Sequence, residues 1–193
     1  MDTWSLLHAM RFISAREQSK IKVYVIAKDE QYKVDYSKLP VAVISNDMEK
    51  KWKGNHWVLW LVFNSNSKGS SKECKYSGVD IQFFCSYGLS PTYYNLDFPK
   101  ISNVCNFVYN STQLQPETST TCGIYCLYFL YKRLKGFSVL NVVSNEFKRN
   151  SLKENDQIVL KFYNLLCCNK YLTRRAGKRC MRCRPRCNYS VSM

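Results

Sequence analysis

The segment CGIYCLYFLYKRLKG, residues 122–136, constrains the fold more than any other stretch, because it is typical of a largely buried helix. Its apolar residues Ile124, Leu127, Tyr131 and Leu134 recur at steps of three and four. A basic last turn followed by Gly136 predicts where the helix ends. A helix of this kind requires other elements to cover it, so it belongs at the centre of a domain.

The first residue of this helix, Cys122, is either a buried small hydrophobe or a nucleophile. Thr120 or Thr121 can cap the helix, which puts Cys122 in the first turn. There the unpaired backbone N–H groups and the helix dipole predict a lowered thiol pKa. Gly123 leaves room for another backbone or a substrate. Cys126, one turn further along the apolar face, is interpreted as a core residue.

A thiolate nucleophile needs a proton partner, and the chain has two histidines. His8 lies in an amphipathic N-terminal segment in which nothing nearby suggests chemistry. His56 follows a Gly54-Asn55 turn and opens HWVLWLVF, which is typical of a buried strand. The tip of a core strand suits a general base, although a structural histidine is the simpler interpretation of His56 alone.

The loop before Cys122 offers an amide for a developing oxyanion. Gln115 lies seven residues before Cys122, in a segment rich in Thr, Ser and Pro, and Gln113 is its competitor. An amide N–H near the sulfur, together with the backbone N–H of Cys122, would stabilise a tetrahedral intermediate. A solvated loop glutamine is the alternative.

Four motifs follow one another along the chain: LPVAVISND with KGNHW, VDIQFFCSYGLSP, QPETSTT and CGIYCLYFL. Their order resembles that of the adenovirus-type cysteine proteases, which are adenain and its relatives in Polinton-like elements and large DNA viruses. These share a clan with the ubiquitin-like-protein proteases. The resemblance covers roughly residues 35–166. It implies His56 as general base, Cys122 as nucleophile and Gln115, by its spacing, as oxyanion donor. It also implies a papain-like arrangement in permuted order, with His before Cys.

One position departs from the family pattern, because Cys85 in FFCSYG stands where the family has Asp or Glu. A carboxylate there would fix the histidine tautomer and stabilise the imidazolium, whereas a neutral thiol accepts only weakly. Three interpretations remain open. The chain works as a weakened Cys-His dyad, another acid such as Asp80 or Asp97 substitutes, or the chain is inactive.

The apolar patterns predict an α+β fold with a central sheet packed against helices. Helices are predicted at residues 3–15, 122–135, 138–147 and 155–167, and strands at 22–30, 40–45, 56–63, 79–84 and 102–109. Residues 64–78 form a polar hairpin loop between the two central strands. At 193 residues and 46% hydrophobic content, we expect one protease domain, residues 1–168, and a tail, residues 169–193.

The tail carries eight of the net fifteen positive charges and no acid. It is expected to bind nucleic acid through Arg174, Arg175, Lys178, Arg179, Arg182, Arg184 and Arg186. A solvated tail is the alternative. Irregular spacing disfavours a zinc site formed by Cys180, Cys183 and Cys187 with Cys167 or Cys168, so no metal site is assigned.

No signal peptide or membrane span is evident, and the ten cysteines are scattered irregularly, so a reducing compartment without a disulfide framework is expected. The NST pattern at Asn110 is then unused for glycosylation.

The resulting hypothesis is a monomeric cysteine endopeptidase of a DNA virus or virus-like element. It cleaves capsid or core precursor polypeptides, in the host nucleus or cytoplasm and in the virion. No cofactor is required, with DNA and an activating peptide as candidate activators. The alternatives are a ubiquitin-like-modifier deconjugating protease and an inactive, DNA-binding accessory.

Overall fold

A computed structural model describes residues 1–65 and 78–172, with side chains described up to Cys168. The helices are α1 (Thr3–Arg16), α2 (Cys122–Leu134), α3 (Val139–Asn145) and α4 (Leu152–Leu172). The strands are β1 (Lys22–Ile26), β2 (Val41–Asn46), β3 (Trp57–Asn64), β4 (Val79–Phe84) and β5 (Val104–Tyr109). Short 3-10 helices occupy Lys28–Lys33 and Pro91–Tyr94.

The five strands form one mixed sheet in the order β1-β2-β3-β4-β5. The central pairs β2–β3 and β3–β4 are antiparallel, whereas the outer pairs β1–β2 and β4–β5 are parallel. β3 is a continuous apolar run because the sheet buries both of its faces. Leu59 and Leu61 belong to one core, and Trp60 belongs to the other.

The first core lies between the sheet and the helices, with α2 at its centre. The buried side chains of α2 pack against those of α1, α4 and the strands, and Phe129 stacks on Phe84 at 4.2 Å between ring centroids. The second core covers the opposite face of the sheet. There the segments of residues 27–40 and 87–101 pack around Trp60 and Phe83. The central strands are therefore enclosed on both faces, whereas the edge strand β5 is largely exposed.

The expected α+β class is confirmed, with a mixed sheet packed against helices. One predicted element is wrong in part, because the strand predicted over residues 22–30 ends at Ile26. The chain then turns into a 3-10 helix whose residues are charged or polar, and none of them is buried. The predicted hairpin loop falls mainly on residues 66–77, outside the described residues, although its flanking strands are the antiparallel pair β3 and β4.

The predicted helices near the C-terminus are both present, and α4 continues to Leu172, past the boundary placed at residue 168. The seven basic residues assigned to DNA binding and the three zinc-candidate cysteines from Cys180 onward lie outside the described residues. Within the described ranges, no helix is both long and apolar enough to cross a membrane.

The cysteines are not all unpaired. Cys85, Cys122, Cys126 and Cys167 are free thiols, whereas Cys105 is disulfide-bonded. The sequence analysis expected no disulfide framework, and the disulfide at Cys105 departs from that expectation at one position.

Candidate active site

The topology brings the candidate residues to one end of the sheet. His56 immediately precedes β3 and Cys85 immediately follows β4, and because these strands are antiparallel, the start of one lies beside the end of the other. Helix α2 begins at the same end. The Cys126 thiol, one turn into the helix, donates to the backbone carbonyl of Trp57 at 3.4 Å, which fixes the helix start against the start of β3.

The His56 ring is held by aromatic and sulfur contacts. It stacks on Tyr87 at 4.5 Å and on Tyr94 at 5.4 Å between ring centroids. Its Nε2 lies 3.4 Å from Cys85 Sγ. The backbone N–H of His56 donates to a carboxylate oxygen of Asp47 at 2.9 Å, so Asp47 anchors the histidine through the main chain. The ring orientation is therefore set on several sides.

Burial determines the charge of His56. The side chain is 3% exposed, and this desolvation lowers the pKa of His56 to about 4, although the nearby Asp47 carboxylate opposes the shift. The imidazole is consequently neutral at physiological pH. Its Nδ1 is buried and has no hydrogen-bond partner among residues 1–65 and 78–172.

Cys85 occupies the position where a carboxylate was expected, and it is the direct side-chain partner of His56 Nε2. Asn110 fixes its backbone on both sides, accepting from the Cys85 N–H at 2.9 Å and donating to the Cys85 carbonyl at 2.7 Å. The Cys85 sulfur also lies 3.3 Å from the Tyr94 hydroxyl. Burial raises the pKa of the Cys85 thiol, so the group facing His56 is neutral.

The two substitute acids named from the sequence are excluded by position. Asp80 stands opposite Phe63 near the far end of β3 and accepts a hydrogen bond from Asn106 at 2.8 Å. Asp97 lines a separate cleft of about 680 Å³ together with Phe98. Neither carboxylate is in place to bind the imidazole of His56.

Cys122 is the first residue of α2, as predicted, but its environment differs from the expectation. The Thr121 side chain does not cap the helix and donates instead to Asp156 at 2.9 Å. The thiol is only 6% exposed, and burial raises the pKa of Cys122 despite the favourable backbone N–H groups of Trp57 and Gly123. The predicted lowering is therefore wrong for the free protein, because desolvation outweighs the helix start.

Cys122 and His56 lie on adjoining elements without a direct hydrogen bond in this state. The Trp57 backbone N–H that acts on the Cys122 thiol belongs to the residue directly after His56. Gly123 allows the start of α2 to lie close to α1 and β3, because a Cβ there would lie 3.1 Å from Leu6 Cδ2 and 3.5 Å from Trp57 Cδ1. Gly123 thus makes room for side chains of α1 and β3. Catalytic hydrogen bonds are often long before substrate binds.

Gln115 is buried beside the nucleophile loop. Its Oε1 accepts from the Ser86 hydroxyl at 2.6 Å, and its Nε2 donates to the carbonyl of Ser119 at 2.8 Å. A primary amide has two N–H groups, so one remains after the bond to Ser119, although Gln115 is fully buried. Gln113 instead donates to the Gln115 carbonyl at 3.0 Å. This geometry favours Gln115 over Gln113.

The turn after β4 couples Cys85 to Gln115. The backbone N–H groups of Leu114 and Gln115 both donate to the Ser86 carbonyl, at 2.8 and 3.1 Å. Gly88 closes this turn with φ +71°, and a Cβ there would lie 2.5 Å from the backbone of Thr112. Only glycine fits this position. The FCSYG motif therefore holds both a partner of His56 and the candidate oxyanion donor.

A cleft of about 910 Å³ opens beside Cys122. Cys122 and Thr120 line one part of it, and Asn55, Trp57 and the exposed Trp52 line another. An extended peptide could reach the sulfur from this side, whereas Cys85 is fully buried and has no such access.

Four residues that shape this site were not predicted from the sequence: Asp47, Tyr87, Tyr94 and Asn110. Asn110 appeared only as a glycosylation pattern, yet its side chain is buried and bonded to the Cys85 backbone. Tyr87 lies within the FCSYG motif, which could have drawn attention to it. No local pattern marks Tyr94, which reaches His56 only because the segment after β4 folds back over the sheet.

The fold is similar to that of two solved proteases. The ASFV pS273R protease superposes with a TM-score of 0.53 at 16% identity over 79% of this chain, and the chain spans only 64% of that protein's length. A de-sumoylating protease superposes with a TM-score of 0.52 at 13% identity, over 90% of this chain and 84% of that one. No protein-family profile and no curated sequence matches the chain.

These similarities establish the class of fold. The chain shares the α+β fold of these two solved proteases, a mixed five-stranded sheet packed against helices. The more specific resemblance to adenain and to Polinton-like relatives stays a prediction.

Proposed function

We propose that this chain is a cysteine endopeptidase with Cys122 as nucleophile and His56 as general base. The observation that carries the proposal is the meeting of the α2 start with the start of β3 at a cleft, in a fold shared with two proteases. Gln115 Nε2 and the Cys122 backbone N–H supply the oxyanion hole.

The chemistry follows from these positions. Cys122 Sγ attacks the scissile carbonyl while its proton passes to His56 Nδ1, the unpartnered ring nitrogen. The tetrahedral intermediate collapses as His56 returns the proton to the leaving amine. Water, deprotonated by His56, then hydrolyses the thioester and regenerates the Cys122 thiol.

Because both groups are neutral in the free protein, the thiol proton must move as the substrate binds or during attack. Burial lowers the pKa of His56 and raises the pKa of Cys122, and each shift disfavours a preformed thiolate–imidazolium pair. We infer a slow reaction of Cys122 with small alkylating agents and a faster one with peptide-based probes, which occupy the cleft.

The proposed substrates are viral precursor polypeptides, processed during particle assembly. Similarity to a viral protease and an open cleft support this choice. The alternative, removal of a ubiquitin-like modifier, is supported by the similarity to a de-sumoylating enzyme across 90% of this chain. The two differ in what must reach Cys122: an internal peptide bond or the C-terminus of a folded modifier.

The test is labelling by two electrophilic probes, a peptide acyloxymethyl ketone and a SUMO vinyl sulfone, with the adduct mapped by mass spectrometry. The proposal expects the peptide probe on Cys122, and labelling by the modifier probe alone would favour the deconjugating alternative. No labelling of Cys122 by either probe, in folded protein, would contradict both.

Restoring an acid at position 85 is expected to raise the rate of peptide cleavage at least about tenfold, or roughly 1.4 kcal/mol. An Asp side chain in Cys85→Asp would accept from His56 Nε2 and from the Tyr94 hydroxyl, and the backbone N–H groups of Tyr87, Gly88 and Leu89 favour an anion there. Cleavage kinetics at pH 7 measure the effect.

Cys85→Asn is the matched control, since it has nearly the same shape as Asp without the charge. The prediction is contradicted if Cys85→Asp is folded by circular dichroism and cleaves no faster than the wild type. In that case the buried site would disfavour a charged Asp by more than the added donors stabilise it.

We also propose that the basic tail binds nucleic acid. Truncation after Leu172 preserves α4 and removes the seven basic residues from Arg174 to Arg186. Duplex DNA binding should weaken, and the slope of log K against log salt should flatten by about 0.9 for each phosphate that the tail no longer neutralises. Fluorescence anisotropy at several salt concentrations measures this, and an unaltered slope would refute it.

A further inference from the structure

The Cys85 thiol contacts two polar side chains, and the structure leaves open which of them accepts the thiol hydrogen. The sulfur lies 3.4 Å from His56 Nε2 and 3.3 Å from the Tyr94 hydroxyl oxygen, and backbone N–H groups of the turn after β4 also act on it. A neutral thiol has one hydrogen, so it can donate to only one of these two side chains. The choice decides which nitrogen of His56 carries the proton.

If the thiol donates to Nε2, the neutral imidazole must carry its hydrogen on Nδ1. The nitrogen with no partner then has no lone pair for the Cys122 proton. If the thiol donates to the Tyr94 oxygen, the sulfur lone pairs are free to accept from Nε2–H. Nδ1 is then unprotonated and can act as the base.

We propose that Tyr94 is a positioning residue that accepts the Cys85 S–H hydrogen and thereby sets the catalytic tautomer of His56. The hydrogen-bond chain runs from His56 Nε2–H to Cys85 Sγ, and from the Cys85 S–H to the Tyr94 oxygen. This pair takes the place of the missing carboxylate. The inference rests on the proposed function, because it assumes that His56 is the base.

The surroundings hold the chain in this arrangement. The Tyr94 ring stacks on the His56 ring at an interplanar angle of 19°, and its hydroxyl oxygen lies 3.3 Å from the sulfur. The Tyr94 carbonyl accepts from Lys28 Nζ at 2.9 Å, and the Asn95 cap closes the 3-10 helix that carries it. Asn110 fixes the Cys85 backbone from the other side. His56 and Tyr94 therefore meet at the Cys85 sulfur, and Asn110 holds the backbone that carries it.

The test is Tyr94→Phe, which keeps the stacked ring and removes the acceptor. We expect kcat for peptide cleavage to fall about fivefold with KM unchanged, as for the loss of one hydrogen bond. ¹⁵N NMR of His56 at pH 7 should show the proton on Nε2 in the wild type and a shift toward Nδ1 in Tyr94→Phe. Tyr93→Phe, at an exposed neighbouring tyrosine, is the matched control.

A rescue experiment separates positioning from packing. In the Cys85→Asp background a carboxylate accepts from Nε2–H without a thiol hydrogen to place, so adding Tyr94→Phe should have little further effect on the tautomer. An equal loss in both backgrounds would indicate a packing role and overturn the proposal.

The ¹⁵N NMR spectrum of the wild type is by itself a test of the proposed tautomer. A proton on Nδ1 in the wild type would overturn the inference without any variant, even if Tyr94→Phe failed to fold. If the wild type shows the Nε2–H tautomer and the expected shift but cleaves no peptide, the hydrogen-bond chain stands and the proposed function fails. A loss of kcat in Tyr94→Phe without a tautomer change would leave the protease assignment intact and refute the role of Tyr94.

Discussion

Cys122→Ala is expected to lower peptide cleavage by at least about 10³-fold, because it removes the atom that forms the covalent intermediate. His56→Ala should cost about 10²- to 10⁴-fold, the usual contribution of a general acid–base group. Both losses should appear in kcat, since neither side chain is assigned to holding the ground-state substrate. Steady-state kinetics on a quenched fluorescent peptide measure them.

The matched control is Cys126→Ala, which removes a thiol one turn further along the same helix. Cys126 is fully buried and donates to the Trp57 carbonyl, so this variant is expected to lose some stability while cleaving peptide. Wild-type turnover in Cys122→Ala would overturn the assignment of the nucleophile. Comparable losses in both cysteine variants would show that helix packing, and not the chemistry of Cys122, is responsible.

The second large effect concerns acid stability. The pKa of His56 lies at about 4 in the fold because of burial, below about 6.5 for an exposed histidine. The unfolded chain therefore binds a proton between these values that the folded chain does not. The contribution of His56 to the free energy of unfolding is therefore complete above about pH 6.5. It falls by roughly 3 kcal/mol as the pH is lowered to about 4.

His56→Gln should abolish this part of the pH dependence. Urea unfolding of both proteins at pH 7.5, 5.5 and 4 isolates the histidine, because the carboxylates titrate alike in both proteins. His8→Gln removes the other histidine, which packs edge-on against Trp4 in α1, and is the matched control. Parallel curves for the wild type and His56→Gln over this range would contradict the burial-driven shift.

The neutral state of His56 and Cys122 is related to the absence of a carboxylate at position 85. A charged acid beside His56 would favour the imidazolium and help to preform a thiolate, whereas the thiol of Cys85 supplies a contact without a charge. Under the proposed function, the site would work as a Cys-His pair in which no carboxylate binds the imidazole side chain. Cys85→Asp measures whether the missing carboxylate limits the rate of peptide cleavage.

Much of the architecture was predictable because its signals are local. The helical period predicted α2 to within one residue, and the apolar runs predicted β3 and β4 as an antiparallel pair. The strand predicted beyond Ile26 was wrong, since the apolar alternation there gives way to charged residues that cover no core. Period and turn residues act over a few positions, so the sequence expresses them directly.

The four ordered motifs also indicated the candidate nucleophile, base and oxyanion donor, Cys122, His56 and Gln115, through their resemblance to a protease family, whereas each residue taken alone left its role open. Only the tertiary structure decided their environment. Desolvation raised the pKa of Cys122 where the helix start alone predicted the opposite, and the register of β3 and β4 excluded Asp80. Tyr94 and Asn110 converge on Cys85 from 9 and 25 residues away. Burial and such contacts are properties of the packed chain, and no local pattern encodes them.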